Sequence, residues 1–173
     1  MKIGIALSGG GIRGIAHAGV LKGLEEIGIK PDIIGGTSCG SLVAIMYAMG
    51  YSPYHIYILF KRYSKTITKI NNISLLSGLK NGFNFQKKVN GFNNGENLEH
   101  VYNMIAKRRK LETIKNIKIP IVIPSVDIKS GKEIVFTNKI PNNKNSNKEY
   151  IDNITIGKAV RASSSFPRIF LPM

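Results

Sequence analysis

The chain is short of acid and nearly without cysteine. Ten Asp and Glu stand against 25 Lys and Arg in 173 residues, a formal net charge of +15. Such an excess attracts polyanions, which here means anionic lipid surfaces, nucleic acid or acidic proteins. Most of the cations are lysines set among asparagines and isoleucines, a mixture that equally suits a merely solvated basic surface. No nucleic-acid motif accompanies them, so no nucleic-acid partner is expected. The single Cys39 excludes an internal disulfide, and one thiol with the scattered His17, His55 and His100 does not make a metal site. Neither a metal nor an organic cofactor is expected. The reducing cytoplasm is the expected compartment, with a peripheral place at anionic membrane following from the charge.

Long apolar runs are missing too. The stretch from Met1 to Ser8 reaches glycine too soon to serve as a signal peptide. From Ile33 to Phe60 there is no formally charged residue, but Gly35, Gly36, Gly40, Gly50, Ser52 and Pro53 cut the run into pieces too short to span a bilayer. It reads as buried core. With 43% hydrophobic residues the chain suits one domain over residues 1–173, and no internal repeat divides it.

What is present is an alternation of strand and helix signals. Lys2 to Leu7 reads as a strand, followed by a glycine turn and a helix to about Ile27 with Ala16, Val20, Leu24 and Ile27 as its apolar stripe. Gly28 ends that helix. Asp32 to Gly35 reads as a second strand, and the helix after it is apolar nearly all round. Ser52-Pro53 opens a helix through about Tyr63, and Glu96 to Arg109 forms another, with Leu98, Val101, Tyr102 and Ile105 on one face. The Asn-, Gly- and Lys-rich stretch 64–95 is expected to be a mobile excursion over the site. Ile117 to Ile128 is β-rich, but Pro120 and Pro124 predict an interrupted or edge strand. Ser130-Gly131 turns it into Glu133 to Thr137, Asn138 to Asn153 reads as polar loop, and Thr155 to Ser163 as a last helix. Strand, helix, strand, helix implies parallel pairing, so the fold class is α/β: a parallel-sheet core with helices on both faces, in three layers.

The centre of the sequence is Gly36-Thr37-Ser38-Cys39-Gly40, between an apolar strand and an apolar helix. In a G-x-S-x-G turn the two glycines remove the Cβ atoms that would collide as the strand doubles back, and the serine is pushed out over the positive end of the next helix. The competing reading is an ordinary βα turn whose serine caps the helix. A serine becomes an acyl-transfer catalyst when it has a base, a group to orient that base and donors for the oxyanion. The loop Gly9-Gly10-Gly11-Ile12-Arg13-Gly14 offers the donors, because consecutive glycines at a helix start expose backbone N–H groups, and Arg13 adds a full charge. The same loop satisfies G-x-G-x-x-G. A dinucleotide site would need an acid closing the second strand, whereas Asp32 opens it.

The two motifs together resemble the patatin-like phospholipases, in particular the bacterial type. The likeness rests on Gly9 to Gly14, on Ile15 to Leu21 and on Asp32 to Leu42. It continues through Ile119-Pro120 to Asp127 with Gly131, and through the run Ala159 to Pro172. The resemblance implies a lipid acyl hydrolase acting on phospholipid or lysophospholipid esters by a Ser-Asp dyad. Ser38 would be the nucleophile, with Gly36, Thr37, Cys39 and Gly40 as its elbow. The amides of Gly9, Gly10, Gly11, Ile12, Arg13 and Gly14 would form the oxyanion hole. The family's aspartate lies in an Asp-Gly motif after the segment matching Phe166 to Pro172. No Asp-Gly occurs in these 173 residues, so the C-terminal part of the family domain is expected to be missing. Asp127 matches a non-catalytic family position.

Two other readings compete with this one. A patatin-like module could bind lipid or anions without catalysis, and a conventional Ser-His-Asp esterase could use His55 or His100. His17 is expected to be structural, and Cys39 a small elbow residue. Tyr47, Tyr54, Tyr57 and Phe60 are expected in the core or acyl-pocket wall. Lacking a positioned base, the 173 residues should turn esters over about 100- to 10,000-fold more slowly than a chain extended through an Asp-Gly motif. Turnover by the two proteins side by side checks this.

Overall fold

Among the described residues, five short strands form one sheet in chain order: β1 (Gly4–Leu7), β2 (Ile33–Gly36), β3 (Ile121–Val126), β4 (Glu133–Thr137) and β5 (Lys148–Ile151). The molecule is described by a computed structural model over residues 2–67, 95–143 and 145–165. β1 pairs with β2 and β2 with β3 in parallel, β3 with β4 antiparallel, and β4 with β5 in parallel. A 3-10 turn (Gly11–Ile15) and α1 (Ala16–Glu26) join β1 to β2. Between β2 and β3 come α2 (Cys39–Ala48), α3 (Pro53–Ile67) and α4 (Glu96–Arg108), and α5 (Ile156–Ser164) follows β5. This mostly parallel sheet with packed helices is the α/β class expected from the alternation of strand and helix signals.

α2 is the centre of the core because all ten of its residues are buried, which its all-round apolar sequence requires. It lies on Leu7, Ile34, Ile121 and Ile123 of the sheet and is flanked by Ile56 and Phe60 of α3 and Val160 of α5. The hydroxyl of Tyr102 on α4 donates to the Leu42 carbonyl at 3.2 Å, which satisfies the one polar atom of a fully buried ring. α4 and α5 pack closely, since a Cβ on Gly157 would overlap the Glu99 carbonyl. Asn103 Oδ1 accepts from the Gly157 amide at 2.8 Å, and Arg161 donates to Glu99 at 2.9 Å. Both partners of that ion pair are mostly shielded from solvent.

Helix ends follow the chemistry of their residues. Ser52 Oγ accepts from the His55 amide ahead of Pro53, and Thr155 Oγ1 accepts from the Lys158 amide at the start of α5. Gly28, at φ 78°, closes α1 with its amide on the Glu25 carbonyl.

Several expectations need correction. The stripe Ala16, Val20, Leu24 and Ile27 does not face the core: Val20 is 54% and Ile27 71% exposed, while Ala18 and Leu21 are the buried residues of α1. α1 packs mainly on α3 and touches α2, so its inward face is set by those helices. Tyr54 and Tyr57 of α3 face solvent, whereas Tyr47 of α2 and Phe60 of α3 are buried as expected. β3 is neither interrupted nor at an edge. Pro120 accepts from the Ile34 amide, so by the two-residue alternation Pro124 turns its nitrogen toward β2, whose pairing with β3 has already ended at Gly35 and Val122. The missing donor therefore costs no ladder bond. The polar stretch 138–153 contains β5, placed beside β4 and tied by Lys148 to Glu133 at 2.8 Å. α3 runs to Ile67, four residues into the stretch expected to be an excursion, and the remainder, 68–94, lies outside the described residues. Phe166 to Pro172 lies outside them as well.

The two sides of α1 give a direct test. Leu21→Ala should cost about 2–4 kcal/mol because Leu21 is 1% exposed, whereas Val20→Ala should stay within about 0.5 kcal/mol. Urea denaturation of both variants, monitored by circular dichroism, reads the difference.

Candidate active site

β2 ends at Gly36, α2 begins at Cys39, and Ser38 occupies the corner between them at φ 53° and ψ −124°. That is a strained setting for a residue with a side chain, of a kind that costs about 1–3 kcal/mol and persists only when its surroundings fix it. The surroundings are close. A Cβ on Gly36 would overlap the backbone of Gly40, and a Cβ on Gly40 would overlap the carbonyl of Leu7 at the end of β1. No residue other than glycine fits either place without moving backbone.

The corner is held by a ring of hydrogen bonds. Thr37 N–H donates to Leu7 O at 3.1 Å, and Gly40 N–H to Thr37 O at 2.9 Å. Buried Ser41 donates its hydroxyl to Ser38 O at 2.6 Å. The Ser38 amide donates to the hydroxyl of Ser163, in the last turn of α5, at 3.2 Å. Ser38 makes no side-chain bond to the start of α2, so it is not the helix-capping serine of the competing reading. Its hydroxyl stands at the positive end of a buried helix dipole.

The glycine-rich loop runs beside it. A Cβ on Gly9 would come within 3.3 Å of the Ser38 Cβ, while one on Gly10 or Gly11 would meet nothing within 4 Å. The loop is thus tight against Ser38 at Gly9 and open at its crest. Gly11 adopts φ 56°, and Ile12 and Arg13 are exposed on the 3-10 turn. Gly14 is where that turn meets α2, since a Cβ there would strike the Cys39 side chain. His17 Nε2 lies 2.9 Å from the Ser8 carbonyl, so it fastens the start of the loop. Asp32 accepts from the Ile3 amide at 2.7 Å, at the far end of the strands from the loop, where it could not reach a ribose.

On the other side of Ser38 is a groove of about 910 Å³, walled mostly by apolar surface that includes Val126, Ile134, Phe136 and Ile151. Thr37, Ser125, Ser163 and Ser165 supply hydroxyls along it. Apart from Thr37 of the elbow, these residues come from β3, β4, β5 and the end of α5, and no motif of the sequence marks them. Ser163 and Ser165 do fall in the run Ala159 to Pro172, which was the available signal. Two carboxylates line the groove and both are engaged. Asp127 accepts from the Ser130 hydroxyl and from the Lys129 and Ser130 amides, and its pKa is lowered, chiefly by the Ser130 hydroxyl. Glu133 pairs with Lys148. His55 is bonded to Ser52 at the start of α3, and neither it nor His100 lines the groove among the described residues. Among those residues, no three His, Cys, Asp or Glu side chains gather to hold a metal ion.

Cys39 is buried, and loss of solvent pushes its thiol up to about 11, partly offset by the Gly14 amide. It is a protonated packing group at neutral pH.

An uncapped serine at positive φ, set on a strand-to-helix corner beside a glycine-rich loop, defines the hydrolases of the G-x-S-x-G type. The chain belongs to the patatin-like phospholipases, whose family profile matches residues 5–173. It is similar to the Lysophospholipase NTE1 of Candida albicans, at 50% identity over 68 residues, 39% of this chain and 5% of that protein. The NTE1 protein of Saccharomyces cerevisiae is 48% identical over 68 residues, 39% of this chain and 4% of that protein. The chain thus spans about a twentieth of the length of these relatives. Among solved structures it is similar to ExoU of the Pseudomonas aeruginosa type III secretion system, crystallised with SpcU. That match has a TM-score of 0.57 at 18% identity and covers 96% of this chain and 38% of ExoU, so it shows a shared fold. The sheet and helices are consistent with the three-layer α/β/α arrangement expected of this family.

The raised thiol pKa sets a pH dependence. Folding favours the protonated form, so the associated stability is full below about pH 9, the ordinary value for a thiol, and is lost as pH rises through about 11. Cys39→Ala should lack that component in denaturation curves taken between pH 8 and 11, and native Cys39 should react slowly with iodoacetamide at about pH 7.5.

Proposed function

We propose that this chain hydrolyses fatty-acyl esters of phospholipids or lysophospholipids through an acyl intermediate on Ser38. The observation that carries the reading is the uncapped Ser38 at φ 53°, with Gly9 against it on one side and an apolar groove on the other. In the proposed reaction Ser38 Oγ attacks the acyl carbonyl and the alcohol leaves with a proton. Water then releases the fatty acid. The negative charge that develops on the carbonyl oxygen is met by backbone amides of Gly10, Gly11 and their loop neighbours, with the helix dipole and Arg13 adding positive potential. The apolar groove suits the acyl chain. Similarity to lysophospholipases supports the substrate class.

The base is assigned by family resemblance to an aspartate, and neither Asp127 nor Glu133 suits that role. A carboxylate that accepts three hydrogen bonds, as Asp127 does, is stabilised as the anion and is a weak proton acceptor, and Glu133 is occupied by Lys148 at 2.8 Å. An anionic membrane surface is the proposed partner of the whole protein. It is supported by the net charge of +15 and by the exposed face of α3, where Tyr54, Tyr57 and Ile58 stand near exposed Lys61 and Arg62. Among the described residues no helix is long and apolar enough to cross a membrane.

A fluorophosphonate probe should modify Ser38 alone, and Ser38→Ala should remove both the adduct and ester turnover. An adduct on another serine or on Cys39 would overturn the assignment. His55→Ala and His100→Ala should keep turnover within about twofold of the parent, in contrast to the loss of ~10⁴-fold expected for a triad histidine. Binding to vesicles containing phosphatidylglycerol should weaken as salt rises from 50 to 500 mM, because screening shortens the reach of surface charge. Equal binding to phosphatidylcholine vesicles at every salt concentration would reject the membrane partner.

A further inference from the structure

We propose that Ser163 is a positioning residue for the nucleophile: its hydroxyl holds the Ser38 amide and so keeps the corner in the strained conformation that presents the Ser38 side chain. The proposal rests on the reading of Ser38 as the nucleophile and extends the machinery to a helix that begins more than a hundred residues later in the chain.

The other clamps on the corner come from its own residues or from β1. Leu7 takes the Thr37 amide, Thr37 takes the Gly40 amide, and the Ser41 hydroxyl donates to the Ser38 carbonyl. The Ser41 hydroxyl holds the peptide group after Ser38, and the Gly40 amide holds the carbonyl side of the one before it, while the N–H side of that same planar peptide, the Ser38 amide, points the opposite way and needs a partner of its own at the φ of 53°. That N–H is received by Ser163 Oγ at 3.2 Å. If Ser38 relaxed to a negative φ, the N–H would swing away from α5 and the bond would break. The hydroxyl therefore favours the strained state over the relaxed one by the strength of one hydrogen bond.

α5 is well placed to hold the serine still. Thr155 caps its start, Asn103 and Glu99 of α4 bind Gly157 and Arg161, and Ala159 and Val160 are fully buried. Ser163 also lines the groove beside Ser38. With its oxygen engaged as acceptor, it retains one proton to donate on the groove wall.

The test uses the whole protein with a fluorophosphonate probe, reading the maximal acylation rate constant and the half-saturating probe concentration separately. Ser163→Ala should lower the maximal rate constant about tenfold with the half-saturating concentration unchanged, and Ser163→Thr, which keeps the hydroxyl, should recover to within about twofold. Ser163→Val has the shape of threonine without the hydroxyl and should stay slow. It supplies the comparison if the alanine variant fails to fold. The Ser38 amide should also exchange with solvent faster in Ser163→Val than in Ser163→Thr, a readout that does not depend on catalysis. Ser164→Ala, which removes a buried hydroxyl that has no hydrogen-bond partner among the described residues, should label at the parent rate. A folded Ser163→Val that labels and exchanges like the parent overturns the proposal. Faster amide exchange without a change in labelling would confirm the clamp but overturn its role in presenting the nucleophile. Failure of the parent itself to label at Ser38 would overturn the hydrolase reading on which the proposal rests.

Discussion

The constraint on which the rest of the molecule depends is the contact between the start of α2 and the end of β1. Gly40 lies where any Cβ would overlap the Leu7 carbonyl, and Gly36 lies where one would overlap Gly40. Because these atoms can approach so closely, α2 leaves the sheet at once and runs through the centre of the core with every residue buried. A bulkier residue at either position would lift α2 away from the sheet and undo the packing of Leu7, Ile34 and Ile121 beneath it.

The same contact places the chemistry. Bringing α2 against the end of β1 sets Ser38 next to Gly9, and Gly14 against Cys39 then seats the 3-10 turn on the helix. Backbone strain, the start of a buried helix and the glycine-rich loop are brought together at Ser38 by packing. Such a site is organised before any substrate arrives, which is the condition under which fixed dipoles are most effective. The thiol of Cys39, one residue from Ser38, is kept protonated by the same burial.

The groove has a different origin from the corner. Its walls are β3, β4, β5 and α5, and α5 is held by α4 through Asn103 and Glu99. One half of the site comes from the first 41 residues and the other from residues 124–165. They meet at the hydrogen bond from the Ser38 amide to Ser163.

The local features were written in the sequence because each depends on residues near one another. The G-x-S-x-G corner, the glycine-rich loop, the buried character of α2, the cap at Ser52 and the parallel pairing of β1 to β3 follow from spacing and residue type. What only the tertiary structure decided depends on partners distant in the chain. The stripe of Val20 and Ile27 is a sound amphipathic pattern, yet it faces outward because α3 and α2 meet the opposite side of α1, where Ala18 and Leu21 lie. Pro124 reads as a strand breaker, yet it is tolerated because β2 ends before its nitrogen would need a partner. β5 is too polar to read as a strand and exists because β4 offers it a paired edge and Glu133 offers Lys148 a charge. The reach of Ser163 to Ser38 spans 125 residues, and periodicity along the chain carries no information about a contact at that range.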